Sequence, residues 1–94
     1  MITAVVLITA ERGALPNLGE SLAAVKGVSE VYSVTGEIDF IAMVRAREHD
    51  ELADIVTRRI AQVPGVAKTA THVAFKAYSR HDLEAMFAIG ADRP

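Results

Sequence analysis

The chain has no cysteine, which excludes disulfides, thiolate metal ligands and cysteine nucleophiles. It also lacks a basic excess: 10 Lys and Arg residues stand against 12 Asp and Glu, a net charge of -2. Nucleic-acid modules usually carry a basic footprint, so direct contact with nucleic acid is not expected. The densest basic pair, Arg58 and Arg59, reads as a solvated helix face. No apolar run approaches the ~20 residues of a membrane-spanning helix; the longest clean ones are 4–8 and 40–44. A basic start followed by a long apolar segment is missing too, and a cytoplasmic location is expected. No HExxH, GxSxG, GxGxxG or P-loop pattern occurs, so the motifs that usually announce a metal, a nucleophile or a nucleotide are absent. No cofactor and no metal are expected.

What is present is one small, apolar domain. A chain of 94 residues, 51% hydrophobic with a mean hydropathy of +0.26, has enough apolar material for one core and some to spare. A domain of this size buries roughly 60–65% of its unfolded surface, and a second copy of the chain is a natural cover for the remainder. Residues 2–9 (ITAVVLIT) are β-branched and apolar at both alternating positions, as in a strand buried on two sides. Leu15, Leu18, Leu22 and Val25 form one stripe of an amphipathic helix, with Pro16 in its first turn, Gly19 weakening it, and Gly27 at its C-cap. A second strand is expected over 28–35, with Val28, Tyr32 and Val34 on one face and Val31 and Thr35 on the other. A third is expected over 40–47, with Phe40, Ala42 and Val44 on one face and Ile41 and Met43 on the other. The short gap between them requires an antiparallel hairpin. A second helix is expected over 50–63, with Asp50 as N-cap, Leu52, Ile55, Val56 and Ile60 as its stripe, and Pro64-Gly65 as its end. A fourth strand follows over 66–78. A third helix over 79–89 carries a Ser79/Asp82 capping box and an apolar side of Leu83, Met86 and Phe87. That side packs on its own subunit or on a neighbour; both readings stand.

This order is βαββαβ plus a terminal helix, an α+β ferredoxin-like fold. A four-residue echo supports two βαβ-like halves: Val25-Lys26-Gly27-Val28 and Val63-Pro64-Gly65-Val66 lie 38 residues apart. Both helices then cover one face of a four-stranded antiparallel sheet, while strands one and three are apolar on the other face as well. An exposed apolar face of that size calls for a cover, and a second chain related by a two-fold axis supplies it. A homodimer with its sheets face to face, a dimeric α/β barrel, is therefore expected.

Thr35-Gly36-Glu37-Ile38-Asp39 is the most informative loop. Gly36 can adopt positive φ and expose backbone N–H groups, with Asp39 beside it as a fixed carboxylate. Such a pair could hold the carboxylate and ammonium of a free amino acid. The plain alternative is a hairpin turn in which Asp39 bonds its own backbone. Thr69 and Thr71, two apart, share one strand face and either serve a polar ligand or reflect β-propensity alone. Of His49, His72 and His81, only His72 is expected to be buried, as a structural histidine rather than a base.

With these elements placed, the chain resembles the effector-binding domain of the Lrp/AsnC (feast/famine) transcription regulators over residues 2–78. The residues that carry the resemblance are Val25-Lys26-Gly27-Val28, the stretch from Tyr32 to Phe40 containing T-G-x-x-D, Pro64-Gly65-Val66 and Thr69-Ala70-Thr71. The resemblance implies a single ligand-binding domain over 1–94 that dimerises through its sheets and assembles further into rings, an octamer among them. It implies a small amino-acid effector bound between dimers, contacted by Gly36 and Asp39, lined by Thr35, Glu37 and Ile38, and approached by Thr69 and Thr71. Full-length members carry a helix-turn-helix domain. Because Met1 here opens directly on strand one, a stand-alone effector module is expected, reaching DNA through a full-length Lrp/AsnC partner. Two other functions remain open on the residues. One is a small monooxygenase-like enzyme, which would need a polar residue such as His72 inside the cleft between sheet and helices. The other is an assembly module without a ligand.

Overall fold

Alternation along β1 (Ile2–Ala10) organises the whole domain. In a computed structural model, which describes residues 1–78 and residue 80, Ala4, Val6 and Ile8 are completely buried while Val5 and Leu7 are half-buried. Successive strand side chains point to opposite faces, so β1 has one face sealed in the core and one partly open. The remaining elements are α1 (Leu15–Ala23), β2 (Val28–Ser33), β3 (Phe40–Ala46), α2 (His49–Asp54) with a π-helical continuation over Ile55–Ile60, and β4 (Val66–Val73). The four strands form one antiparallel sheet in the order β2-β3-β1-β4, the ferredoxin-like arrangement expected from the element order. The expected helix over 79–89 and the tail after it lie outside the described residues, Arg80 excepted.

Both helices pack on the same sheet face. Leu18 and Leu22 from α1 and Leu52, Ile55 and Ile60 from the second helix meet Ala4, Val6, Ile8, Phe40, Ala42, Val44 and Ala46 in one core cluster. Each large apolar side chain buried there stabilises the fold by roughly 1.5–3 kcal/mol. Gly19 weakens α1 as a helix former but makes room for this packing: a Cβ there would stand 3.2 Å from Phe40 Cε1.

The sequence echo is a structural repeat. Gly27 and Gly65 both have positive φ, +103° and +101°. The Val28 N–H bonds the Val25 carbonyl and the Val66 N–H bonds the Val63 carbonyl, each at 3.1 Å. The Gly27 carbonyl accepts the Arg45 N–H near the end of β3, and the Gly65 carbonyl accepts the Glu11 N–H just past β1. Each glycine also lies against the other half's helix, Gly27 on Ile55 and Gly65 on Ala14 and Leu18. The two βαβ halves are thus locked by reciprocal contacts.

Several expectations need correction. A register shift between Val28 and Glu30, with Ser29 Oγ bonding the Met43 carbonyl at 3.1 Å, turns Val28 inward beside Val31 rather than beside Tyr32. β2 ends at Ser33 and β4 at Val73, not at 35 and 78; Phe75 and Tyr78 are exposed. Leu15, placed in the apolar stripe, is 51% exposed. The second helix starts at His49 with Glu48 as its N-cap, so Asp50 sits inside the first turn. It ends at Ile60, and its second half is π-wound: the Ala61 N–H reaches back five residues to Val56. At about 100° per residue, an α-helix would place Ile60 well away from Ile55. The wider turn lets both face the core, and both are fully buried.

The opposite sheet face has no described helix on it. Val5 and Leu7 stand opposite Met43 and Ile41 of β3, and all four are half-buried. His72 and Ala70 flank Val5 and Leu7 on the β4 side, and Tyr32 flanks Ile41 on the β2 side. Glu30, Arg45 and Lys68 form a charged border.

Candidate functional site

The loop over 34–39 leaves the end of β2 and returns into β3. Thr35, Gly36 and Glu37 are exposed, and Ile38 and Asp39 are half-buried. Gly36 has φ +113° with no atom within 4 Å of where a Cβ would stand; the expected positive φ is present, at an open apex. The loop is held at its base by Asp39. Its carbonyl accepts the Val34 N–H at 3.0 Å and its N–H donates to the Ile8 carbonyl at 2.9 Å. Its Oδ2 accepts the Ala10 N–H at 2.7 Å. The carboxylate therefore bonds neither its own backbone nor only solvent; it extends the β1–β3 ladder by one bond at the point where the β1–β4 register shifts.

Glu37, Ile38 and Thr69 meet in a cleft of about 170 Å³ between the loop and β4, with Leu7, Thr9, Lys68 and Ala70 as the other lining residues. Thr35, Gly36, Asp39 and Thr71 do not line it. Thr71 stands opposite Val6 and Thr69 opposite Ile8, so both threonines belong to the helix side of the sheet, Thr71 exposed and Thr69 half-buried. Leu7, Thr9, Lys68 and Ala70 escaped the sequence reading because only the β1–β4 register brings them to the loop. The one available signal was Lys68, which directly precedes Thr69. A wider hollow of about 490 Å³ between α1 and β2, bordered by Leu15, Gly19, Val31 and Phe40, contains none of the residues singled out in the sequence as ligand contacts.

His72 is exposed on the open sheet face rather than buried, because β4 is an edge strand with a described neighbour on one side only. No polar or charged side chain is buried among the described residues, and His72 does not enter the layer between sheet and helices. Also on the open face, the Tyr32 hydroxyl donates to the Glu30 carboxylate. That bond, then the negative charge of Glu30, holds the Tyr32 phenol above its ordinary pKa. On the helix side, Arg59 pairs with Asp54 at 3.2 Å and donates to the Lys26 carbonyl at 2.9 Å. It ties the π-helical segment to the turn before β2, while Arg58 is 83% exposed. No helix among the described residues is long and apolar enough to cross a membrane.

Comparison with known proteins places this geometry. The family model described as the Lrp/AsnC ligand binding domain matches residues 3–83. An uncharacterized HTH-type transcriptional regulator of Pyrococcus furiosus is 38% identical over 58 residues, 62% of this chain and 39% of the regulator. The chain spans between 39% and 50% of the length of the curated relatives it matches. A solved protein of Thermus thermophilus is 48% identical with a TM-score of 0.78, covering 85% of this chain and 100% of that one. A feast or famine regulatory protein from M. tuberculosis, complexed with L-methionine, is 27% identical with a TM-score of 0.72, covering 85% of this chain and 54% of that one.

Proposed function

Since the chain belongs to the Lrp/AsnC ligand-binding domain family, we propose that it is a sensing and assembly domain, not an enzyme, that binds a small amino acid and modulates transcription through a partner regulator. The observation that carries this reading is the uncovered sheet face. Val5, Leu7, Ile41 and Met43 form a contiguous apolar patch that no described element covers, and isologous packing of a second copy would remove it from water. The domain is then a homodimer joined sheet to sheet, and dimers join into a ring.

The amino-acid effector is supported by the methionine complex of the M. tuberculosis relative and by the loop over 35–39, whose residues, with Thr69 and Thr71, are the proposed ligand contacts. Asp39 contributes by fixing the loop base against Ala10. The regulatory partner is supported by relatives named as HTH-type transcriptional regulators; a full-length Lrp/AsnC protein sharing the ring would carry the signal to DNA, in the cytoplasm. The mechanism is linkage: a ligand that binds one assembly state more tightly shifts the population toward it. Sedimentation velocity of the purified chain with and without the twenty amino acids tests this. The expected result is a dimer or larger particle whose distribution changes with at least one amino acid. An assembly indifferent to all twenty refutes the sensing reading.

A further inference from the structure

We propose that two copies of this chain meet on the open sheet face about a two-fold axis parallel to the strands, so that Glu30 of each copy faces the partner's His72. This rests on the reading of that face as a dimer interface and names the pair that sets its direction. The ladders lay the face out in rows across the sheet. One row runs Glu30, Met43, Val5, His72 and the next runs Tyr32, Ile41, Leu7, Ala70, each in the order β2, β3, β1, β4. The acid of the face thus stands on one outer strand, and His72, with Lys68 further along, stands on the other. Glu30 and His72 are both exposed. They stand three strand spacings apart, roughly 14 Å, so they do not pair within one copy.

An axis along the strands, midway between β3 and β1, exchanges the ends of each row. It sets Glu30 against the partner's His72, Tyr32 against the partner's Ala70, and Met43 against the partner's Val5. Carboxylate then meets a hydrogen-bond donor at both edges, and the largest side chain of its row meets the smallest. The other border charges do not decide the matter: Arg45 meets the partner's Thr3, and Lys68 lies beyond Ser33, where the partner's β2 ends. An axis across the strands exchanges the two rows instead and lays each strand over its own counterpart. The two Glu30 carboxylates would then lie only two residues apart along the strand direction, about 7 Å, and like charges so placed oppose association. The Tyr32 hydroxyl donates to Oε2 of Glu30, and a carboxylate has further acceptor sites on its other oxygen. A histidine donates to such a site in its neutral as in its charged form. Facing sheets lie ~10 Å apart, a gap that a glutamate and a histidine side chain span together. The same pair selects partners: another chain of this fold joins this face well only if its outer strands carry an acid and a donor at these two places.

The test is the dissociation of the full chain on dilution, read by light scattering, for the wild type, Glu30→Lys, His72→Glu and the double exchange Glu30→Lys/His72→Glu. Each single exchange sets two donors or two carboxylates against each other at both edges. It should raise the dissociation constant about ten-fold or more. The double exchange should return it to near the wild-type value, because acid again faces base with the edges reversed. Both positions are exposed, and unchanged circular dichroism verifies the fold of each variant. A wild-type dimer that either single exchange leaves unweakened, or a double exchange no tighter than the singles, overturns this orientation and leaves the sheet-face dimer standing. A wild type that stays a single chain removes the dimer and its orientation together.

Discussion

Gly27→Ala tests the close fit between the two halves of the fold. Gly27 has φ +103°, and a Cβ there would run into Cδ1 and Cγ1 of Ile55, a side chain with no exposed surface and nowhere to retreat. An L-residue in the left-handed region costs roughly 1–2 kcal/mol. Overpacking a filled core adds roughly 1–3 kcal/mol, for a total of about 2–5 kcal/mol. A domain of this kind has only about 5–15 kcal/mol in all. Gly36→Ala is the internal control: its φ is +113° but the space around it is open, so only the backbone part applies. With a urea m-value of about 1 kcal/mol/M, the two midpoints should differ by about 1–3 M. Far-UV circular dichroism at fixed protein concentration reads both. Ile55→Val removes the clashing Cδ1, so Gly27→Ala should cost less in that background. Equal midpoints for Gly27→Ala and Gly36→Ala, or strict additivity with Ile55→Val, would refute the packing argument.

Asp39→Ala should destabilise the domain by about 1–3 kcal/mol by orphaning the Ala10 N–H and should raise amide exchange at Ala10; unchanged protection there would contradict the assigned bond. Arg59→Ala should cost about 1 kcal/mol through the Lys26 carbonyl and Asp54, whereas Arg58→Ala should stay within about 0.5 kcal/mol; urea denaturation separates them, and equal effects would remove the tie to Lys26. Ultraviolet titration should find the Tyr32 phenol above its ordinary value of 10.0 and returning toward it in Glu30→Gln. The folded state holds that proton more tightly, so the contact supports the fold below the ordinary phenol pKa and is lost as pH rises through the folded one.

The legible parts of this fold were those written in local periodicity. Alternation grouped Phe40, Ala42 and Val44 on one face of β3, without saying that this face rather than that of Ile41 and Met43 meets the helices, and Gly27 and Gly65 announced equivalent turns by their matching neighbours. What stayed hidden depended on partners distant in sequence or on departures from ideal periods. The stripe Leu52, Ile55, Val56 and Ile60 grouped Ile55 with Ile60 correctly, but the π winding that turns both into the core leaves no mark in the periodicity. The bulge at Ser29 reverses the facing of Val28 without a glycine or proline to mark it. At the candidate site, the T-G-x-x-D pattern singled out a loop of which Glu37 and Ile38 border a cleft. It could not say that the carboxylate of Asp39 is spent on Ala10, because that bond joins residues 29 apart. Nothing in the local sequence links Lys68 to the loop; only the β1–β4 register brings it into the same cleft lining as Glu37.

Light scattering on a sizing column, comparing the wild type with Leu7→Lys, tests whether the open sheet face joins two copies of this chain. The expected result is a wild-type mass of twice the 10.1 kDa chain or a higher even multiple, falling to the single chain in Leu7→Lys with its circular dichroism intact. A folded wild type that stays at the mass of one chain at high concentration would contradict it.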